Sequence, residues 1–98
     1  MRAPWWNSAN NKEEDLWIRD IIAEVADQYH VTPAEILSPG RRAALTKARR
    51  KAMWRARHET NSSYLKLARI FKRDHSTVIY NVKCWEAKLE GRTYDRAR

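Results

Sequence analysis

The chain of 98 residues holds a single cysteine, Cys84, only two glycines and three prolines, and no long apolar run. One cysteine cannot close an intramolecular disulfide, so the fold must stand on packing alone. Without an apolar stretch of about 18 residues or a leader-type hydrophobic segment, neither a membrane span nor a secretion signal is legible, and a cytoplasmic location is expected. Scarce glycine and proline leave few tight turns, which argues against a many-stranded β fold and for a few helices joined by short loops. The expected class is therefore all-α. His30, His58 and His75 have no cysteine or carboxylate at zinc-ligand spacing, and no phosphate loop, nucleophile elbow or HExxH string occurs. Neither an enzyme nor a carrier of a metal, cofactor or small-molecule substrate is expected. The length suits one domain with one modest core and leaves no room for an ATPase domain, which needs roughly 150 to 250 residues.

Acidic side chains are missing from one stretch above all. Arg41 to Arg57 contains eight basic residues (Arg41, Arg42, Lys47, Arg49, Arg50, Lys51, Arg55 and Arg57) and no acidic one. The net charge is +8, and it is unevenly spread: residues 1–40 carry three basic and seven acidic residues, residues 41–98 carry 17 and five. Like charges at such density repel unless an anion relieves them, so a polyanionic partner is expected, nucleic acid before an anionic membrane. The remaining composition, 43% hydrophobic with five tryptophans, suits a folded core rather than a disordered chain.

Periodicity places the elements. Residues 1–10, with Trp5 and Trp6, show no period and are expected to form an irregular arm, its tryptophans folded back on the core or else exposed to a partner. Asn11 as cap, with Glu13, Glu14 and Asp15 at the positive end of the dipole, starts a helix to Tyr29 that buries Ile18, Ile21, Ile22, Val25 and Tyr29, with Trp17 widening the stripe. Thr32, Pro33 and Glu35 make a capping box and first-turn proline for a short helix to Leu37, and Pro39-Gly40 ends it. In the alanine-rich basic helix, Leu45, Ala48, Ala52, Met53 and Ala56 share one side while Lys47, Arg50, Lys51, Trp54 and Arg55 share the other. After a polar turn over Glu59 to Ser63, a helix Tyr64 to Phe71 is followed by Lys72-Arg73-Asp74 and a last helix with Val78, Val82, Trp85 and Leu89 on one stripe. Two helices joined by a tight turn, over about residues 63–90, are the parts of a helix-turn-helix. Asp74 is placed to cap its second helix. The first turn of that helix, His75, Ser76 and Thr77, offers donors, acceptors and a methyl group suited to base edges in a major groove. Cys84 is expected to be a small apolar filler or idle surface thiol, and His30 and His58 to sit at helix C-termini.

The string Arg73-Asp74-His75-Ser76-Thr77-Val78-Ile79, after Leu67-Ala68-x-x-Phe71, resembles the signature of the C-terminal DNA-binding domain of the bacterial replication initiator DnaA. The likeness runs back through Asp27-Gln28-Tyr29, Val31, Ala34-Glu35-Ile36-Leu37-Ser38, Arg41-Arg42 and Arg49-Arg50-x-Ala52-Met53, covering roughly residues 18–90. The resemblance implies a compact helical bundle of the DnaA domain IV and Trp-repressor kind, binding a short, asymmetric, A·T-rich duplex box as a monomer. It also implies roles: Arg41, with Arg42, in a loop reaching the minor groove; Lys47, Arg49 and Arg50 on phosphate; Arg73, Asp74, His75, Ser76 and Thr77 on the turn that reads bases. Departures from the family pattern are the single Lys72 where a glycine pair is usual, the basic Lys51 and Arg55 where apolar residues are common, and a loop with Pro39-Gly40 before Arg41 and Ala43-Ala44 after it.

Since the chain has no Walker A sequence, the expectation is a stand-alone, nucleoid-associated protein of bacterial or phage origin that binds double-stranded DNA and regulates transcription or replication. Residues 11–90 form its DNA-binding domain, and residues 91–98 a frayed basic tail. An adaptor that binds a protein through the acidic first helix and Trp5-Trp6, while the basic half anchors it to DNA, is the alternative. Binding of structured RNA is disfavoured because Trp54 is the one aromatic in the basic segment, and membrane docking because that helix has a mostly alanine face.

Overall fold

A computed structural model describes residues 12–91. The expected Asn11 cap, the Trp5-Trp6 arm and the tail from residue 92 lie outside them. Among the described residues all regular structure is helical: α1 (Lys12–Gln28), α2 (Pro33–Leu37), α3 (Ala43–Thr60), α4 (Tyr64–Phe71) and α5 (His75–Leu89). No described helix is long and apolar enough to cross a membrane.

The basic helix is the axis of the bundle, since α3 packs against each of the other four helices. Its alanines help: Ala48, Ala52 and Ala56 are fully buried on one face, and their small side chains let neighbouring helices approach closely. The core joins the α1 stripe of Ile18, Ile21, Ile22 and Val25 to Ile36, Met53, Leu67, Phe71, Val78 and Val82. Trp17 and Tyr29 pack partly buried against it, but Leu89 does not join the last stripe as its spacing suggests. It is 58% exposed, because it ends α5 with no described element beyond to cover it. Glu59 and Thr60, expected in a turn, continue α3. Thr60 satisfies its buried hydroxyl on the Ala56 carbonyl at 2.7 Å, a bond available only within the helix.

Side-chain caps start α2 and α4. Thr32 and Glu35 exchange bonds, Glu35 N–H to Thr32 Oγ1 at 3.1 Å and Thr32 N–H to Glu35 Oε1 at 2.9 Å. The backbone bond from Thr32, helped by Arg42, holds the Glu35 carboxyl below its usual range. Ser63 accepts from Lys66 N–H at 3.1 Å and starts α4. Asp74 occupies the cap position of α5, yet its side chain makes no capping bond, contrary to the expectation from sequence.

The shortage of glycine shows at the helix ends. His30, Asn61 and Lys72 follow α1, α3 and α4 with φ of 59°, 58° and 58°, the left-handed conformation for which glycine is the usual choice. After α1, Val31 N–H reaches the Ala26 carbonyl at 2.9 Å, and after α4, Arg73 N–H reaches the Ala68 carbonyl at 3.0 Å. Both are the six-to-one bonds of a Schellman closure, which satisfy a terminal carbonyl and turn the chain. Lys72 therefore makes, with a Cβ in place, a left-handed turn for which glycine is the usual choice. Replacing Lys72 by Gly removes a Cβ from this conformation and is expected to stabilise the domain by about 0.5–1 kcal/mol, raising Tm by roughly 2–6 °C in a thermal melt. Lys72→Val should move Tm the other way, since a β-branched side chain tolerates positive φ least.

Candidate nucleic-acid interface

The basic run is less unrelieved than its sequence suggests. Arg55 binds Glu59 at 2.7 Å and Glu24 of α1 at 2.9 Å, and these carboxylates hold its guanidinium above its ordinary pKa against the cost of burial. Lys51 donates to Gln28 at 2.6 Å, Arg42 pairs with Glu35 at 3.1 Å, and Arg57 donates to the Ser62 carbonyl at 2.6 Å while lying 4.3 Å from the centre of the Tyr64 ring. Beyond the run, Lys66 of α4 pairs with Glu14 and Asp15; burial would lower its pKa, but these partners outweigh it and raise the pKa. Much of the acidic surplus of residues 1–40 is thus folded against the basic half.

Arg49 departs furthest from expectation. Its position between Ala48 and Ala52 puts it on the buried side of α3, where it is 7% exposed. Its Nε donates to the Ile36 carbonyl at 2.7 Å, and Nη2 to the Ser38 carbonyl at 2.9 Å and the Glu35 carbonyl at 3.3 Å. The Glu35 carbonyl already accepts from Ser38 N–H at 3.1 Å, so the guanidinium adds to that bond and supplies donors to the Ile36 and Ser38 carbonyls, closing the C-terminus of a five-residue helix. Arg73 comes to the same place from the helix-turn-helix. It donates to the Phe71 carbonyl at 3.1 Å, to the Lys72 carbonyl at 3.4 Å and, through Nη2, to the Ser38 carbonyl. Burial lowers the pKa of both arginines, and Arg73 adds to the effect on Arg49. Both remain charged at neutral pH because guanidinium starts so high.

Around this joint lies an open groove of about 390 Å³ lined by the Pro39-Gly40-Arg41 loop, Thr46 and Arg49 of α3, Lys72 and Arg73 of the turn, and Thr77 and Asn81 of α5. The loop is packed at Gly40, where a Cβ would come within 2.9 Å of Leu45, while Arg41 beyond it is exposed. Two helix N-termini border the groove. Arg42 and Asp74 stand at the cap positions of α3 and α5 without side-chain capping bonds, and neither helix has an acidic residue in its first turn. Their first N–H groups therefore have no side-chain acceptor from the cap residue, and no acidic side chain in the first turn offsets the positive dipole ends.

The residues singled out from sequence therefore fall into two groups. Arg41, Lys47, Asp74, His75 and Ser76 are exposed, and Thr77 and Arg50 are half-buried. Arg49 and Arg73 are instead occupied by the backbone, and Arg42 by Glu35. The sequence reading missed Lys72, which lines the groove, and Asn81, a polar residue 9% exposed on the Val78, Val82, Trp85 stripe. For Asn81 and Arg49 alike the signal was available as a hydrogen-bonding side chain on an apolar row.

The helix-turn-helix family model of the bacterial dnaA protein matches residues 18–84. The chain belongs to this family. It is 36% identical over 81 residues to the chromosomal replication initiator protein DnaA of Nautilia profundicola, covering 82% of this chain and 19% of that protein. With the initiator DnaA of Bifidobacterium animalis subsp. lactis it shares 43% identity over 72 residues, 72% of this chain and 12% of the relative. The chain thus spans less than a fifth of the length of these DnaA relatives. No solved structure matches it significantly. In this DnaA-family domain Arg49 holds α2 to α3. Arg49→Ala removes three bonds and takes its donor from the buried Ile36 carbonyl, and is expected to lower unfolding free energy by about 2–4 kcal/mol in a denaturant titration. Arg49→Lys should recover less than half of that, since one ammonium cannot span the three acceptors as a planar fork does.

Proposed function

We propose that this domain binds duplex DNA at a short A·T-rich site resembling a DnaA box, gripping adjoining grooves from one monomer and acting as a regulator of transcription or replication rather than as a catalyst. The convergence of the Arg41 loop and the first turns of α3 and α5 on one open, basic groove carries the proposal. In it, exposed His75 and Ser76, with Thr77, enter the major groove, where a ring nitrogen, two hydroxyls and a methyl meet base edges. Asp74 stays uncommitted at the head of α5, able to accept from a cytosine amino group. Arg41 extends into the neighbouring minor groove, where narrow A·T steps concentrate negative potential. Lys47, Arg50 and Lys72, with Arg42 exchanging Glu35 for phosphate, fix the register on the backbone. Arg49 and Arg73 serve as struts between the two reading elements.

The count of available cations gives the first test. With about four to five phosphates neutralised, log affinity should fall against log salt with a slope of roughly −4, and a flat titration overturns the proposal. Selection of bound sequences from a random duplex pool supplies the second. An asymmetric box with an A·T flank is expected; His75→Ala should then reduce discrimination at one edge position by about 1–3 kcal/mol while nonspecific binding and Tm persist. Arg41→Ala should relax preference only in the A·T flank, and Arg41→Lys should restore affinity more than selectivity, because ammonium holds its water more tightly. Unchanged preference in all three variants would remove the assignment of readout to these side chains.

A further inference from the structure

Asn81 has no place in the reading turn, yet it is among the few polar side chains buried in the described domain. It lies one helical turn after Thr77, and its Nδ2 donates back to the Thr77 carbonyl at 2.9 Å. That bond fixes the amide plane and leaves its single oxygen turned to Arg50 of α3. The Oδ1 atom then accepts from Arg50 Nε at 2.9 Å, across 31 residues of chain. On its other side the Arg50 guanidinium lies 5.8 Å from the centre of the Tyr80 ring. A free arginine samples many rotamers and loses that freedom on binding; one held at Nε beside an aromatic ring has already lost much of it. The bond uses Nε alone, so the Nη groups of the fork remain for an outside anion.

The geometry points to Asn81 as a positioning residue for DNA binding, one that does not touch the nucleic acid but sets the Arg50 guanidinium at a fixed place relative to the reading turn. This rests on the DNA-binding reading above. The chain Thr77 carbonyl, Asn81 amide, Arg50 guanidinium links the helix that reads bases to the helix that holds phosphate, so a shift of one is carried to the other. A lysine at position 50 could not be held in this way, because the contact uses a secondary guanidinium nitrogen and leaves the two others free.

Duplex affinity of the full chain is measured for the parent, Asn81→Ala, Arg50→Ala and the double variant, with a thermal melt of each. Arg50→Ala should weaken binding roughly tenfold and Asn81→Ala roughly threefold to tenfold, both with a shallower salt slope, and the double variant should bind no more weakly than Arg50→Ala alone. Asn81→Ser keeps a helical back-bond to the Thr77 carbonyl but cannot reach Arg50, and it should weaken binding as Asn81→Ala does. If the two factors multiply in the double variant, Asn81 acts independently of Arg50 and the assignment fails. It fails equally if Asn81→Ser binds like the parent, which would place the effect in the Thr77 bond, or if Asn81→Ala leaves affinity unchanged. A parent that binds no duplex overturns the DNA-binding reading itself, an outcome separate from these.

Discussion

The carbonyl of Ser38 is where the domain is tied together. Two guanidiniums, Arg49 from the central helix and Arg73 from the helix-turn-helix, meet on this one oxygen at the end of α2. Placing two cations in a partly buried site is unfavourable: burial lowers the pKa of both, and Arg73 lowers that of Arg49 further. The arrangement holds because each guanidinium also donates to further carbonyls, those of Ile36 and Glu35 for Arg49 and those of Phe71 and Lys72 for Arg73. Removing Arg49 would leave the buried Ile36 carbonyl without this donor, which costs more than the bond itself contributes. The loop bearing Arg41 and the turn bearing His75 thus share a fixed origin, although 34 residues separate them.

Charge in this protein divides into a part that holds the fold and a part that faces outward. Arg55 is matched by Glu24 of α1 and by Glu59, Arg57 by the Ser62 carbonyl, and Lys66 of α4 by Glu14 of α1, so α1, with its acidic surplus, braces both the basic helix and α4. Around the groove the balance is different: the starts of α3 and α5 carry no acidic residue in their first turns, and Arg41, Lys47 and Lys72 are exposed. A polyanion approaching from that side meets positive dipole ends and unmatched cations together. From the α1 side it would meet Asp20 and Asp27, both exposed. The field of the domain therefore has a direction, which helps orient an encounter as well as strengthen it.

Much of this was legible in the residues. The boundaries of α2 and α4 follow from Thr32-Pro33 with Glu35 and from Ser63 to Phe71, and the apolar stripe of α1 follows from Ile18, Ile21, Ile22 and Val25, because caps and periodicity are local. Membership of the DnaA helix-turn-helix family followed from the short run Arg73 to Ile79, whose order is itself local. Arg49 shows the limit. Its place at i+4 from Leu45 and i−4 from Met53 puts it on the buried row, but a row of charged residues read together conceals the one that turns inward. Asp74 shows the converse, a sound capping residue whose side chain makes no capping bond.

By itself, then, the sequence determined the helices, their apolar faces and the basic character of one half, all of which depend on neighbours within about two turns. The tertiary structure decided which cations are structural and which are available, because that depends on carbonyls and carboxylates brought in by other helices: Glu24 to Arg55, Ile36 and Ser38 to Arg49, Asn81 to Arg50. No periodicity encodes those partners. They exist only once α3 is enclosed by α1, α2 and α5, and at Arg49, where burial excludes water, the donor must find a protein oxygen.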